Sequence, residues 1–330
     1  MKLGKQSKTN LEHLPSKAST ALPNVRNSIV YSQLLLTTFL WGLAWPVGRL
    51  LAGTLPPISI AVLRYAIVVP VLFSILRARN HPLTVERKWI LNLVVMGLLS
   101  TTLYQAFFLY GVKYAAASDD SIVIGIGPVL IAILASLVLN ERLTMSKALG
   151  FLSGLAGVVV ISLFSPNTNV PNRLLGVTLV FGGALAYALY TVLLRRFVST
   201  TRADEQHQPP SSLTILAWIS LFGWVFLIPF SLFEAPWNYS WDPVSWSGIL
   251  YLALLSTVVG YFFYVEGVSK IGAARAGVFG NFVPVFGVIT SFLLLKENLS
   301  PWQGVSFLLI FSGVVLVNRA QKKNQHSQIR

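Results

Sequence analysis

The chain has 330 residues, 54% of them hydrophobic and only 11% charged, with a mean hydropathy of +0.67. Too few polar side chains remain to cover a soluble globular protein of this length, so that class is excluded. The formal net charge of +14 suggests nucleic acid at first sight, but the basic residues are sorted by membrane side rather than gathered into a patch. No cysteine is present, which removes disulfide, thiolate and cysteine–zinc chemistry.

Residues 1–28 are polar and rich in Pro, Ser, Asn and Thr, and they predict a disordered cytoplasmic tail rather than a signal peptide. Ten apolar stretches follow, at about 32–52, 58–76, 90–112, 120–139, 146–164, 174–194, 213–233, 248–268, 276–295 and 302–318. Each can cross a hydrocarbon core of about 30 Å as a helix, which takes roughly 20 residues. Barrel strands would be shorter and would alternate. The expected fold is all-α and integral to the membrane, with ten transmembrane helices. With the N-terminus inside, the inner segments hold 20 Lys and Arg and the outer segments 4, while Arg64 lies within a span. That asymmetry places both termini in the cytoplasm, and the expected location is the cell inner (plasma) membrane. The basic N-terminus suits an anionic inner leaflet.

Residues 104–161 align with 260–317 without a gap at an offset of 156, and sixteen of the 58 pairs are identical. Phe107/Phe263, Gly111/Gly267, Pro128/Pro284, Glu141/Glu297, Leu143/Leu299 and Gly157/Gly313 are among them. Trp41 through Arg49 matches Tyr187 through Arg195 more weakly. The chain therefore divides into a unit at 29–164, a Pro/Asn-rich linker at 165–173, a second unit at 174–318 and a cytoplasmic tail at 319–330. Five crossings per unit is an odd number, so the second unit is expected to enter from the other side. An inverted repeat of this kind is the architecture of a two-sided carrier. In each unit the last two helices meet at a tight turn, ERLT at 141–144 and ENLS at 297–300. Thr144 and Ser300 are expected N-caps, Ser300 in a capping box with Gln303 and with Pro301 at the first helical position. Pro46, Pro128 and Pro284 predict kinks, as hinges or as static bends. Gly150, Gly154 and Gly157 with Ser153 give helix five a small-residue face for a packed neighbour or a dimer.

WGLAWPVGRL at 41–50, LPPISIAVLRY at 55–65 and NERLT at 140–144 resemble the EamA domain of the drug/metabolite transporter superfamily. The second copy, GVSKIGAARAGVFGNFVPVFGVITSFLLLKENLS at 267–300 ending in GVVLV at 313–317, resembles it more closely still. The resemblance covers about residues 32–318. It implies ten helices, a central cavity between two units and secondary transport of small metabolites, often amino-acid efflux. The chain departs from the family in having Leu43 and Ala44 soon after Trp41-Gly42, where a polar residue is common.

Arg64 is the one Lys or Arg expected well inside a span, about 9 Å deep at roughly 1.5 Å per residue. It is a candidate clamp for an anionic substrate group, or else it snorkels or pairs with a structural carboxylate. The family pattern also places an Arg here, seven residues after Pro57. Glu266 is the one acid expected inside a span rather than at its edge and the first candidate for a coupling proton, while Lys270 four residues later offers a plain helix ion pair. Glu141 and Glu297 are expected to hold turn amides or a neighbouring Arg. Trp41, Trp45 and Arg49 share a face of helix one, Thr101 and Gln105 of helix three, Tyr187 and Thr191 of helix six, and Gly260 and Tyr264 of helix eight. Asn281 is placed inside helix nine. Of these, Trp41, Trp45, Gln105, Tyr187, Tyr264 and Asn281 are the candidate lining of a cavity for an amphipathic organic molecule, with packing as the alternative.

The expected activity is secondary transport of a small organic metabolite by alternating access, most simply export of an amino acid, with proton coupling open. The alternatives are a nucleoside, sugar, vitamin or drug carrier, or a sensor or scaffold that keeps the carrier fold. An enzyme is not expected: the four histidines lie in loops or tails, and neither HExxH nor a P-loop occurs. No cofactor or metal is expected. The partners are the small-molecule substrate and the lipid bilayer, without nucleic acid, and the chain is a monomer or a homodimer.

Overall fold

The structure, a computed structural model, describes residues 25–139, 141–165, 170–203 and 209–328. The expected tail over 1–28 lies outside them up to position 24, as do 140, 166–169 of the linker, 204–208 and the last two residues of the C-terminal tail. Ten helices are long and apolar enough to cross a membrane. They are α1 (Ser28–Thr54), α2 (Pro57–Ala78), α3 (Arg87–Tyr114), α4 (Ala117–Val138), α5 (Met145–Phe164), α6 (Arg173–Thr201), α7 (Ser212–Phe233), α8 (Pro243–Ile271), α9 (Arg275–Leu295) and α10 (Pro301–Arg319). No strand occurs among the described residues. Large apolar side chains stand outward on many of them, Leu91 and Phe233 at 72% and 87% exposure, as a lipid-facing surface requires. An even number of crossings returns the chain to the face where α1 begins, the N-terminal face.

The helix ends bring further charged residues into the spans. Helix α4 begins at Ala117 rather than near 120, so Asp119 and Asp120 both lie in its first turn, at the edge of that span, while Glu266 lies inside α8. Two cations lie nearer helix ends: Arg49 toward the end of α1, and Lys147, 1% exposed, in the first turn of α5. Lys147 Nζ donates to Ser136 Oγ at 2.9 Å and pairs with Glu141 at 3.2 Å. Helix α4 starts earlier than hydropathy suggests because the Glu297 carboxylate, from far along the chain, satisfies its first two amides.

The helices are interrupted at corresponding places. A π stretch occupies Leu98–Leu103 in α3 and Tyr251–Val259 in α8, just before the residues where the sequence match begins. In α4 a 3-10 turn at Ile124–Ile126 precedes Pro128, and α9 breaks at Gly280 and Asn281 before Pro284. Proline lacks the amide that would close the preceding turn, so the two mates break their helices alike. Asn281 therefore stands in a turn, not inside a continuous helix as expected. The caps follow the sequence: Thr144 accepts from the Lys147 amide at 3.3 Å, and Gln303 Oε1 accepts from the Ser300 amide at 3.0 Å. Ser300 Oγ accepts from the Trp302 amide at 3.2 Å, one residue earlier than in the standard box.

The small-residue face of α5 is used within the chain, against α10. Ser153 Oγ donates to Leu309 O at 2.8 Å, Ser306 Oγ donates to Gly157 O at 2.8 Å, and Gly150 faces Gly313. A Cβ on Gly313 would lie 2.5 Å from Gly150 O, and one on Gly150 would lie 2.8 Å from Gly313 O. Gly313→Ala must push these backbones apart and is expected to cost about 1–3 kcal/mol, read as a lower unfolding midpoint in detergent. An unchanged midpoint would show that α5 and α10 do not pack this closely.

At the face away from the N-terminus, three charged side chains tie helix ends together. Glu234, after α7, accepts from the amides of Ile58 and Ser59 at 3.0 and 2.8 Å, from Ser59 Oγ at 2.8 Å and from Tyr110 Oη at 2.7 Å. Glu297 accepts from the amides of Ala117 and Ser118 at 3.0 and 2.9 Å. A carboxylate at a helix start meets the positive end of the dipole. Arg49 donates to the carbonyls of Val112 and Lys113 at the end of α3. Glu141, the repeat mate of Glu297, instead pairs with Lys147 and with Arg195 at 2.8 Å. The Arg beside Glu141 is as expected, whereas Glu297 holds the first amides of α4 rather than those of its own turn.

Candidate functional site

Arg64 stands in the first half of α2 with 5% exposure. Its Nε and Nη2 donate to Thr257 Oγ1 at 3.1 and 2.7 Å, and its Nη1 donates to Gln105 Oε1 at 3.0 Å. Gln105 Nε2 donates in turn to Tyr65 Oη at 3.1 Å. All of these partners are neutral. Among the described residues Arg64 forms no ion pair, although a guanidinium withdrawn from water normally has an anion beside it.

The π stretch of α8 puts Thr257 in place. Widening a helix turns some carbonyls away from their usual amides and leaves them for side chains. Thr257 Oγ1 donates to Leu252 O at 2.8 Å while it accepts from Arg64. Trp41 Nε1 donates to Ser256 O at 3.0 Å, which brings α1 to the same turn.

Aromatic rings surround this group. Trp41 lies 5.3 Å from Tyr261 and 5.4 Å from Tyr264, centroid to centroid. Tyr104 lies 5.4 Å from Tyr187, and Tyr187 lies 5.5 Å from Tyr190. Tyr104, Tyr251 and Tyr261 are within electrostatic reach of the Arg64 charge. A fork of N–H donors ringed by phenols and an indole can hold an organic anion that carries an apolar body.

A cavity of about 280 Å³ leads toward this group from the N-terminal face. Arg79, His81, Ser211, Ser269 and Glu266 line it, and Val258 and Tyr261 also belong to its wall. Tyr261 is thus shared between the cavity and the aromatic ring around Arg64. At the other face, Glu234, Glu297 and Arg49 hold the helix ends together.

Of the candidates named from sequence, Arg64 and Gln105 are directly hydrogen-bonded, Trp41 and Tyr264 are in ring contact, and Tyr187 joins through Tyr104. Trp45 is a packing residue, 3% exposed and 4.8 Å edge-on from Phe108, with Gly287 at its other side. Asn281, in the α9 break, makes no described side-chain hydrogen bond or ring contact with the group. Glu266 lies on the cavity wall, where it pairs with Lys270 at 2.5 Å and accepts from Gln33 Nε2 at 3.4 Å. That is the plain ion pair its spacing predicted. Thr257, Tyr65, Tyr104 and Tyr261 belong to the site without having been singled out. Two of them carried a usable signal, since Thr257 and Tyr261 are the offset-156 mates of Thr101 and Gln105.

The model of the EamA-like transporter family matches residues 28–163 and 174–319. The chain belongs to the EamA-like transporter family, and it is a multi-pass membrane transporter. It is 31% identical over 301 residues to the uncharacterized transporter YetK of Bacillus subtilis, covering 89% of this chain and 87% of that one. It is 28% identical over 307 residues to the uncharacterized transporter YyaM of the same organism, covering 91% and 97%. A crystal structure 19% identical in sequence superposes with a TM-score of 0.58 over 88% of this chain and 98% of that one, and shares the fold.

Proposed function

We propose that the chain is a secondary carrier that exports a small carboxylate-bearing metabolite, of amino-acid size and partly apolar, across the cytoplasmic membrane. The observation that carries this is Arg64, buried among neutral partners with its charge unanswered by any described acid. A substrate carboxylate supplies the missing anion, and the Trp41, Tyr104, Tyr187 and Tyr261 rings receive its body. The two five-helix units form an inverted repeat and rock about this site in alternating access. In the arrangement described, the cavity on the N-terminal face, taken as cytoplasmic from the basic-residue asymmetry, is the open side, and the tied helix ends close the other. Uptake from the cytoplasm is then the first step of export.

Counterflow in proteoliposomes tests this. Vesicles are loaded with mixed amino acids at equal pH on both sides, and each labelled amino acid is traced from outside. Accumulation of a subset is expected, with those bearing apolar side chains preferred. No accumulation of any amino acid or other carboxylate by folded protein would sink the proposal.

A further inference from the structure

The first turn of α4 carries two consecutive acids, Asp119 and Asp120, both with 0% exposure. Their surroundings differ sharply. Asp119 Oδ1 accepts from Gln303 Nε2 at 2.6 Å and from Ser165 Oγ at 3.0 Å, and its Oδ2 faces Arg173 Nε at 3.7 Å. Two donors and a cation answer its charge. Neither oxygen of Asp120 has a hydrogen-bond partner among the described residues. Glu297 brings a third carboxyl to the same turn, with both oxygens already occupied by the Ala117 and Ser118 amides. Arg49, on α1, is close enough to interact with Asp120, yet its described hydrogen bonds go to the carbonyls of Val112 and Lys113.

A second buried group is also without a partner. Ser291 Oγ on α9 has 0% exposure and no described hydrogen bond. Helix α9 lies along α4, with Gly287 against the Ser121 side chain, and Ser291 is one turn beyond Gly287 in the direction of Glu297. An isolated carboxylate withdrawn from water without a donor is among the costliest groups a fold can bury. A proton removes the charge, and with it most of the cost of burying the group. A metal cation fits less well, because hard cations gather about six oxygens, and those of Glu297 and Asp119 Oδ1 are taken by donors.

We propose that Asp120 is a proton-binding carboxyl and that its proton is the one coupled to transport. The second half of this rests on the carrier reading above; the first does not. The step is one protonation, a carboxylate and a proton giving the acid. The charged groups facing it are Asp119 with Arg173 behind it, Glu297 from the α9–α10 turn and Arg49 from α1, while Lys113 lies in the last turn of α3 and Lys296 precedes Glu297. Ionised, Asp120 competes for Arg49 with the carbonyls that end α3. Protonated, it leaves Arg49 on them, and the helix ends away from the N-terminal face stay tied. Loading of the proton and closure of that face are therefore one linked equilibrium.

Infrared titration of the purified full chain in phosphatidylethanolamine–phosphatidylglycerol vesicles reads the site without any substrate. The carbonyl band of a protonated carboxyl is expected at neutral pH in the wild type. It should vanish in Asp120→Asn and remain in Asp119→Asn and Glu266→Gln. The coupled readout is amino-acid flux driven by an imposed pH gradient divided by flux at equal pH. That ratio should fall by at least about tenfold in Asp120→Asn and stay near wild type in Glu266→Gln. A band that survives Asp120→Asn, a band abolished by sodium ions at fixed pH, or an unchanged flux ratio would overturn the assignment. If the wild type moves no amino acid or other carboxylate, the carrier reading fails while the infrared result still decides the proton site.

Discussion

Arg64→Ala is expected to lower counterflow at subsaturating substrate by roughly 100-fold, while thermal unfolding in detergent stays near wild type. Removing one partner of a desolvated charge pair costs about 2–5 kcal/mol, and each ~1.4 kcal/mol is a factor of ten. The small effect on stability follows from the partners. Thr257 and Gln105 are neutral, and Thr257 keeps its bond to Leu252 O while Gln105 keeps its bond to Tyr65. Arg64→Lys retains the charge but not the fork, because one ammonium cannot reproduce the planar donors that reach Thr257 and Gln105 together. An intermediate loss of about tenfold is expected there. Transport at the wild-type rate by folded Arg64→Ala protein would remove the clamp.

The second large effect belongs to Glu234. Its carboxylate accepts four hydrogen bonds, two of them from the amides that begin α2. Charge-assisted hydrogen bonds contribute about 1.5–3 kcal/mol each, though a shared acceptor does not add them fully, so Glu234→Ala is expected to lose roughly 3 kcal/mol or more. Gln is a poor substitute, since its amide has one acceptor oxygen and would present an N–H to donors that now meet the second. The chain has no cysteine, so access can be read at a single introduced one. Leu55, 3% exposed where α1 meets α2, is a suitable position. A Leu55→Cys thiol should react at least about tenfold faster with an impermeant maleimide in the Glu234→Ala background. Equal stability and equal labelling would show that Glu234 does not hold this face closed.

The acids at the start of α4 show why part of the site could not be read from sequence. Hydropathy placed the helix start near 120 because Ser118, Asp119 and Asp120 pull the local average down. The helix begins earlier because Glu297, some 180 residues away, satisfies its first amides. Pro128 and Pro284 were legible as interruptions, since the missing amide travels with the residue. Asn281 was misplaced for the same reason: the break that Pro284 demands falls just before it, not at it. Glu141 and Glu297 were legible as a structural pair, because each sits at the corner between two helices where amides and cations gather.

Helical class, ten crossings, the internal repeat and the caps at Thr144 and Ser300 were all present in the sequence alone, as was Arg64 within a span. Run length, apolar content and short spacings are local properties of a chain, and a membrane permits few ways to satisfy them. Tertiary structure alone decided that Arg64 faces Thr257, that Trp45 packs on Phe108 while Trp41 bonds to Ser256 O, and that among the described residues Asp120 has no donor where Asp119 has two. Which side chain faces which depends on helix rotation. A π stretch advances that rotation by one residue, about 100° at 3.6 residues per turn, for everything beyond it. The stretches at Leu98–Leu103 and Tyr251–Val259 come just before the site residues Tyr104 and Gln105 in α3 and Tyr261 and Tyr264 in α8. Their positions leave no mark on hydropathy, so the facing of those side chains is settled only when the helices pack.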